Sequence, residues 1–110
     1  MNRRTVALAH GAFNVVTGAW PLLHLRSFEA VTGPKTDHWL VRTVAALVVA
    51  NGVVQLTSDV AAARRVGLGT AASLAGIDLA YAPRGTIGPA YLLDAVAELV
   101  WLAAWARARD

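Results

Sequence analysis

Four apolar segments, separated by short charged or turn-forming stretches, fill most of this chain. Their approximate bounds are 5–23, 39–57, 66–82 and 87–106, and a lead-in from Val60 can extend the third. A helix needs about 20 mostly apolar residues to cross a bilayer, because each residue adds about 1.5 Å. The four segments come close to that length and leave little of the 110-residue chain for a soluble fold. Strands are not expected, because apolar and polar residues do not alternate.

The composition agrees with lipid as the solvent of the outer surface. Hydrophobic residues make up 56% of the chain, charged residues make up 15%, and the mean hydropathy is +0.48. A soluble domain carries about 25% charged residues, and a small one needs an especially large polar surface. The sequence therefore predicts one all-α domain over residues 1–110, a bundle of four transmembrane helices in the cell membrane.

The first apolar segment follows Arg3 and Arg4, as the apolar region of a signal peptide would. That region usually has about 7–15 residues, and the run over 5–23 is longer. The segment is therefore predicted to be a retained first helix.

Basic residues lie in short clusters between the apolar segments, which is the arrangement that sets membrane topology. Four crossings put one group of arginines on the side of both termini: Arg3, Arg4, Arg64, Arg65, Arg107 and Arg109. The other side receives a smaller group: Arg26, Lys35, Arg42 and Arg84. Because cytoplasmic loops carry the excess of lysine and arginine, both termini are predicted in the cytoplasm. Nucleic acid is not expected as a partner, although the net charge is +3.

The first loop, residues 24–38, is long and mixes charged side chains with apolar ones such as Phe28. That mixture predicts a short interfacial helix, which Gly33 and Pro34 would end. Its charged residues are expected to form a polar cap over the outer end of the bundle, with Phe28 as an anchor. The histidines and acids of the loop match no metal motif and cysteine is absent, so no metal or other cofactor is expected.

Small residues at helical spacing predict close contacts between helices, because they let helix backbones approach each other in lipid. Gly11 and Gly18 lie seven residues apart on the first helix. Ala72, Gly76 and Ala80 form a similar line on the third helix. The tryptophans are interpreted as interfacial or packing residues.

Ionisable side chains interrupt the apolar segments, and each costs about 2.5–3.5 kcal/mol near the centre of a span. Asp94 and Glu98 are four residues apart, so they share one face of the fourth helix, and Tyr91 continues that face. Asp78 lies near the outer end of the third helix and Arg42 near the outer end of the second. Such costly residues are the first candidates for a functional site.

We expect these side chains to face a common interior, together with two asparagines at the depth of Glu98. The candidate ligand-binding residues are Asn14, Arg42, Asn51, Asp78, Tyr91, Asp94 and Glu98. Arg42 is expected to pair with Asp94 or Asp78, because an unpaired charge at that depth is hard to tolerate. Glu98 is then a spare carboxylate that can exchange a proton or meet a cation. The alternative is that these polar side chains only hydrogen-bond the helices together.

The stretch from Gly11 to Val44 combines a glycine-bearing first helix, a charged outer loop and a second helix with Arg42 near its start. In these features the chain resembles the small bacterial four-helix membrane proteins grouped as DoxX-like. That resemblance implies a membrane location and no particular activity. Length and topology also look like the small multidrug-resistance exporters, but those place an essential glutamate in helix one, where this chain has His10 and Asn14. Four-helix sterol isomerases likewise place acids and a histidine inside such a bundle.

Three classes of function fit these features. The first is a bundle that binds or transports a small lipophilic or cationic molecule, with Glu98 and Asp94 as the charged contacts. The second is an intramembrane enzyme that acts on a lipid-like substrate, with Glu98 or Asp94 as the catalytic proton donor or acceptor. The third is a structural or accessory subunit, locked to a partner helix or to a second copy in a homo-oligomer. The first ranks above the second because no nucleophile–base pair, metal motif or nucleotide loop is present.

Overall fold

The computed structural model describes residues 1–110 and contains five α-helices and no strand. The helices are α1 (Arg3–Leu23), α2 (Leu25–Thr32), α3 (His38–Thr57), α4 (Val60–Tyr81) and α5 (Tyr91–Arg107). The four long ones match the four predicted segments and form an elongated body of 43 × 27 × 17 Å. The short helix α2 is the one predicted inside the first loop, and it ends at Gly33, whose φ is +103°.

Two helix boundaries differ from the main predicted bounds, one because of a local cap and the other because of a contact with a distant segment. Helix α4 starts at Val60 and not at 66, because Asp59 caps it: Asp59 Oδ1 accepts a hydrogen bond from the Ala62 amide at 2.8 Å. Helix α5 starts four residues later than predicted. Gly88 lies against the backbone carbonyl of Thr32, so the loop before α5 is docked on the end of α2. A glycine is required at this contact, since a side chain would collide with that carbonyl.

The tightest helix pair is α1 with α3, and glycines make it possible. A Cβ atom on Gly52 would lie 2.7 Å from the carbonyl oxygen of Gly11, and one on Gly11 would lie 2.9 Å from that of Gly52. Gly18 approaches the carbonyl of Ala45 in the same way. The two predicted glycines of α1 therefore lie at a helix contact, with backbone directly on backbone.

The predicted line of Ala72, Gly76 and Ala80 on α4 is wrong as a packing face. Ala72 and Gly76 are exposed, and a Cβ atom on Gly76 would meet nothing within 4 Å. The packed face of α4 is offset from that line and carries these buried residues: Ala63, Gly67, Thr70, Ala71, Ala75 and Asp78. Both lines consist mainly of small residues, so residue size alone did not identify the inward one.

Large apolar side chains lie on the surface of this bundle, and its interior mixes small apolar residues with polar ones. Its largest fully buried side chains are Trp105, His10, Gln55, Glu98, Val6 and Asn14, and four of those six are polar or ionisable. Large apolar side chains are exposed instead, among them Val16 at 69%, Leu47 at 59% and Leu93 at 75%. Fully buried carboxyls of this kind are rare in water-soluble proteins, where Asp and Glu are almost never fully buried unless they are paired.

Two helices, α1 and α3, are long and apolar enough to cross a membrane. Helix α5 is shorter, with 17 residues, and α4 carries three charged residues: Arg64, Arg65 and Asp78.

The two chain ends meet at one end of the bundle. The Arg3 amide donates to the Arg109 carbonyl at 3.1 Å, and the Arg109 amide donates to the Met1 carbonyl at 3.3 Å. Arg3 also forms an ion pair with Asp110 at 3.7 Å. Both ends are therefore on one side of the fold, together with the turn at Ser58 and Asp59 that joins α3 to α4.

Candidate functional site

A cavity of about 500 Å³ lies between α1, α3 and α5. Apolar walls come mainly from α3, and the polar contacts come from α5 and from the first loop. Its lining residues include Thr17, Pro21, Phe28, Lys35, Asp37, Leu40, Val44, Val48, Leu74, Tyr91, Asp94 and Glu98. The structure thus places three of the predicted site residues, Tyr91, Asp94 and Glu98, in one cavity wall.

The deepest polar group of this cavity is the carboxyl of Glu98. Glu98 is fully buried, and neither of its carboxyl oxygens has a hydrogen-bond partner. The carboxyl of Asp94, one turn closer to the start of α5, lies within reach of it. Asp78 of α4 is also buried, lies close to Asp94, and has one oxygen without a partner. Three acidic side chains therefore meet where α4 packs on α5.

No basic side chain compensates this acidic cluster. The ion pairs of the structure are Arg3 with Asp110 and His38 with Glu29, and both lie outside it. Leaving a charge buried and unpaired typically costs about 3–5 kcal/mol. No ion pair therefore neutralises the three carboxyls inside the bundle.

The predicted ion pair of Arg42 with Asp94 or Asp78 is not formed. Arg42 is exposed, and it lies off the face that α3 turns inward, which carries Ala45, Gly52 and Gln55. Position along the chain predicts the depth of Arg42 but not its direction around the helix. Its long side chain can leave the bundle near the helix end, as arginines close to a membrane interface do.

The mouth of the cavity is covered by the first loop, as the prediction of a polar cap requires. Lys35 donates to the carbonyls of Thr32 and Gly33 at 3.2 and 3.0 Å, and its ammonium lies 5.0 Å from the ring centre of Tyr91. Phe28 faces the same ammonium at 5.8 Å. The cap is therefore fastened to the start of α5, directly above the acidic side chains.

Glu29 holds this cap together. One of its carboxyl oxygens accepts from the Lys35 amide at 2.9 Å, and the other lies 3.2 Å from His38 Nε2. Arg42 and Arg84 form no ion pair with the cap. Within the loop, the side chains of Glu29, Lys35 and His38 all find partners among loop residues.

A second polar set, centred on His10, lies deeper in the bundle. Trp105 Nε1 and Gln55 Nε2 both lie 3.0 Å from His10 Nδ1, and the ring of Trp101 stacks on the imidazole at 4.7 Å. An indole nitrogen can only donate, so His10 Nδ1 is the acceptor and the ring proton is on Nε2. Gln55 must then point its amide nitrogen at His10 and its oxygen at Asn14, whose Nδ2 lies 2.7 Å away. The N–H of Trp105 thereby sets the orientations of three side chains, those of His10, Gln55 and Asn14.

The asparagines predicted beside Glu98 belong to other contacts. Asn14 is buried in the His10 set, and Asn51 donates to Thr70 Oγ1 at 2.9 Å between α3 and α4. Asn51 therefore hydrogen-bonds two helices together, which is the alternative interpretation given for the polar side chains. The sequence indicated Trp105 only as an interfacial or packing residue, and it gave no sign of the hydrogen-bond partner of Trp105 on α1.

Three comparisons bear on this chain's identity. No protein-family model matches the sequence. No curated protein is significantly similar to it, and neither is any solved structure.

Proposed function

We propose that this chain is a multi-pass protein of the cell membrane whose four long helices all span the bilayer. Its many exposed large apolar side chains and its buried carboxyls support this, because lipid tails would solvate such a surface. The 43 Å length of the bundle agrees with a bilayer of about 40–45 Å including its headgroups. In α3, only 17% of the most apolar window is buried, which does not suit a core helix of a soluble protein. The acids of α4 and α5 face the interior, as spanning helices require.

The proposed orientation puts both termini in the cytoplasm and the cap outside. The chain has no cysteine, so single cysteines can report each side. Thr36→Cys and Thr86→Cys, both at exposed positions, are expected to react with an impermeant maleimide on intact cells. Asp110→Cys is expected to react only after the membrane is opened. Labelling of Thr36 and Thr86 on opposite sides would contradict four crossings, and labelling of Asp110 alone on intact cells would invert the orientation.

We propose further that the cavity binds a small lipophilic cation, with Glu98 as its main anionic contact and Asp94 beside it. The observation that carries this proposal is the fully buried and unpartnered Glu98 carboxyl at a cavity whose α3 side is apolar. An ammonium group carrying methyl or aryl substituents would meet the carboxyl at one end and the apolar wall elsewhere. The ring of Tyr91 adds a surface that attracts cations.

Glu98→Gln tests this proposal and keeps the shape of the side chain. The probes are benzyltrimethylammonium and its uncharged carbon isostere neopentylbenzene, titrated by calorimetry into protein in detergent micelles. Losing one partner of a buried charge pair costs about 2–5 kcal/mol, so we expect the cation to bind at least about 30-fold more weakly. The neutral isostere should bind both proteins alike.

The matched control is Asp110→Asn, which removes an exposed carboxylate far from the cavity. It should bind the cation as the parent does. Equal cation binding by Glu98→Gln and Asp110→Asn would refute Glu98 as the charged contact. A cation no tighter than neopentylbenzene in the parent protein would refute the charge selectivity altogether.

Competition with protons gives a second test of the same site. A cation that replaces a proton on the cluster of Asp78, Asp94 and Glu98 must release that proton to the buffer. We expect cation affinity to fall as the pH falls, and the measured binding enthalpy to vary with the ionisation enthalpy of the buffer. The other ionisable groups at the cavity, Lys35 and Asp37, lie at its mouth. An enthalpy that is the same in every buffer would mean that no proton is exchanged.

Two other classes of function rank below cation binding. An intramembrane enzyme would use the adjacent carboxyls of Asp94 and Glu98 to donate and accept a proton, which the geometry of the pair suits. A purely structural subunit is less well supported, because a dry and tightly packed interior would be expected and the chain has an open cavity. The resemblance to DoxX-like proteins agrees with the proposed membrane location and adds no activity.

A further inference from the structure

A second concave region lies on the side of α3 that faces α4. It is a groove of about 380 Å³ between α3 and α4. The lining residues are Val44, Leu47, Val48, Asn51, Arg65, Val66, Gly69, Thr70, Ser73 and Leu74. It shares a wall with the cavity above Glu98 but contains none of its acidic groups.

This groove has one basic end and one apolar end. Arg65 lies near the turn between α3 and α4, on the side of the chain termini. Leu74 lies nine residues further along α4, or about 13.5 Å at the rise of a helix. Leu47 and Val44 line the α3 side and are about half exposed. The long direction of the groove therefore runs from a positive charge at one end of the bundle toward its middle.

Gly69 leaves space in the middle of the groove. A Cβ atom built on it would meet nothing within 4 Å, and the side chains of Asn51 and Thr70 beside it satisfy each other at 2.9 Å. Away from Arg65, the polar groups of the groove are the mutually bonded Asn51 and Thr70 and the small hydroxyl of Ser73. Its chemistry suits a molecule with an anionic head and an apolar chain.

We propose that this groove binds an anionic phospholipid of the cytoplasmic leaflet, with its phosphate at Arg65 and one acyl chain along Val48, Gly69 and Leu74. The guanidinium is well suited to phosphate oxygens, which it can hold through two parallel hydrogen bonds. The apolar end must be filled by something in a bilayer, and a lipid tail is the solvent at that depth. This inference rests on the proposed spanning arrangement, but not on cation binding at Glu98.

The charge is tested with Arg65→Gln against Arg107→Gln. Arg107 is exposed at the same end of the bundle and does not line the groove. Bound dioleoylphosphatidylglycerol and dioleoylphosphatidylcholine are counted by native mass spectrometry of protein released from detergent micelles. One arginine near the headgroups contributes about 1 kcal/mol, so Arg65→Gln should weaken phosphatidylglycerol binding about fivefold. Arg107→Gln should leave it unchanged, and equal effects of the two variants would overturn the assignment of Arg65.

The binding site for the acyl chain is tested by comparing lipid binding by Gly69→Leu with lipid binding by Gly76→Leu. Both glycines are in α4 and both have open space at the Cβ position, but Gly76 does not line the groove. Gly69→Leu should abolish the bound lipid of either headgroup, and Gly76→Leu should keep it. Retention of lipid by Gly69→Leu would overturn the proposal, as would dissociation of a dimer by that variant, since a second copy would then be the occupant.

Two further measurements distinguish a lipid site from a bare phosphate site and from the cavity at Glu98. Chain-free glycerophosphoglycerol should not displace the lipid, and efficient displacement would show that the groove recognises the phosphate alone. Glu98→Gln should bind phosphatidylglycerol as the parent does, and a loss of lipid in that variant would place the lipid in the cavity. The lipid proposal can thus be refuted without refuting cation binding at Glu98, and cation binding can be refuted without refuting the lipid proposal.

Discussion

Replacing Gly52 with alanine is expected to lower the thermal unfolding midpoint of the protein by more than any surface substitution in the chain. The added methyl group would lie 2.7 Å from the Gly11 carbonyl oxygen and 2.8 Å from a methyl group of Val15. Neither helix backbone can move away without opening the α1–α3 contact. Overpacking of this kind typically costs about 1–3 kcal/mol, and here the obstructing atom is backbone, so we expect the upper part of that range. The unfolding midpoint is measured by far-UV circular dichroism during heating in detergent micelles.

Gly76→Ala is the control for that experiment. It places the same methyl group on a long helix at a position with nothing within 4 Å. Alanine is favoured over glycine inside a helix by about 1 kcal/mol, so this variant should unfold at the same temperature as the parent or slightly higher. If Gly52→Ala and Gly76→Ala unfold alike, the close contact between Gly11 and Gly52 does not stabilise the bundle.

Trp105→Ala is expected to destabilise the bundle to a similar or greater extent. Trp105 is fully buried in the apolar cluster with Val6, Ala7 and Ala63, and large-to-small changes of this kind cost about 3–5 kcal/mol. The indole N–H is also lost, so His10 Nδ1 keeps only Gln55 as a partner. A cooperative loss of α1 packing should accompany the lower unfolding midpoint.

Trp105→Phe separates the hydrogen bond from the packing. It keeps most of the aromatic volume and removes only the hydrogen bond to His10 Nδ1, which retains Gln55 as a partner, and one such bond contributes about 0.5–1.5 kcal/mol. Trp39→Phe is the matched control, because Trp39 is 68% exposed. If both phenylalanine variants unfold at the temperature of the parent, the indole does not hold His10 in place, and Trp105 contributes by packing alone.

Helix positions followed well from the sequence, because they depend on apolar length and on local signals. Gly33 ends α2 as predicted, since glycine can adopt the positive φ found there without steric strain. The start of α5 was harder to predict, because it depends on the contact of Gly88 with Thr32 from another part of the chain. Local chemistry is visible in a sequence, and a long-range docking contact is not.

The sequence predicted the part of the candidate site that lies on a single helix. It missed the contacts that depend on how two helices are oriented toward each other. Asp94 and Glu98 share a face of α5 by spacing alone, and both line the cavity. Arg42 lies near the start of α3 as its place in the sequence requires, but the rotation of α3 about its axis turns it outward. Rotation is set by packing of Gly52 against Gly11, which the positions of the charged residues do not reveal. Position along a helix was therefore easier to predict than direction around it.

The pairing of the chain ends has a consequence for the order of the helices. Met1 and Arg109 are already hydrogen-bonded, so a short glycine–serine linker could join the ends with little rearrangement. New ends could then be opened at Gly85, in an exposed turn between α4 and α5. Such a circular permutant would begin with α5 and end with α4, and it would keep every helix contact of the parent. The helix contacts of the bundle therefore do not depend on where the chain begins and ends.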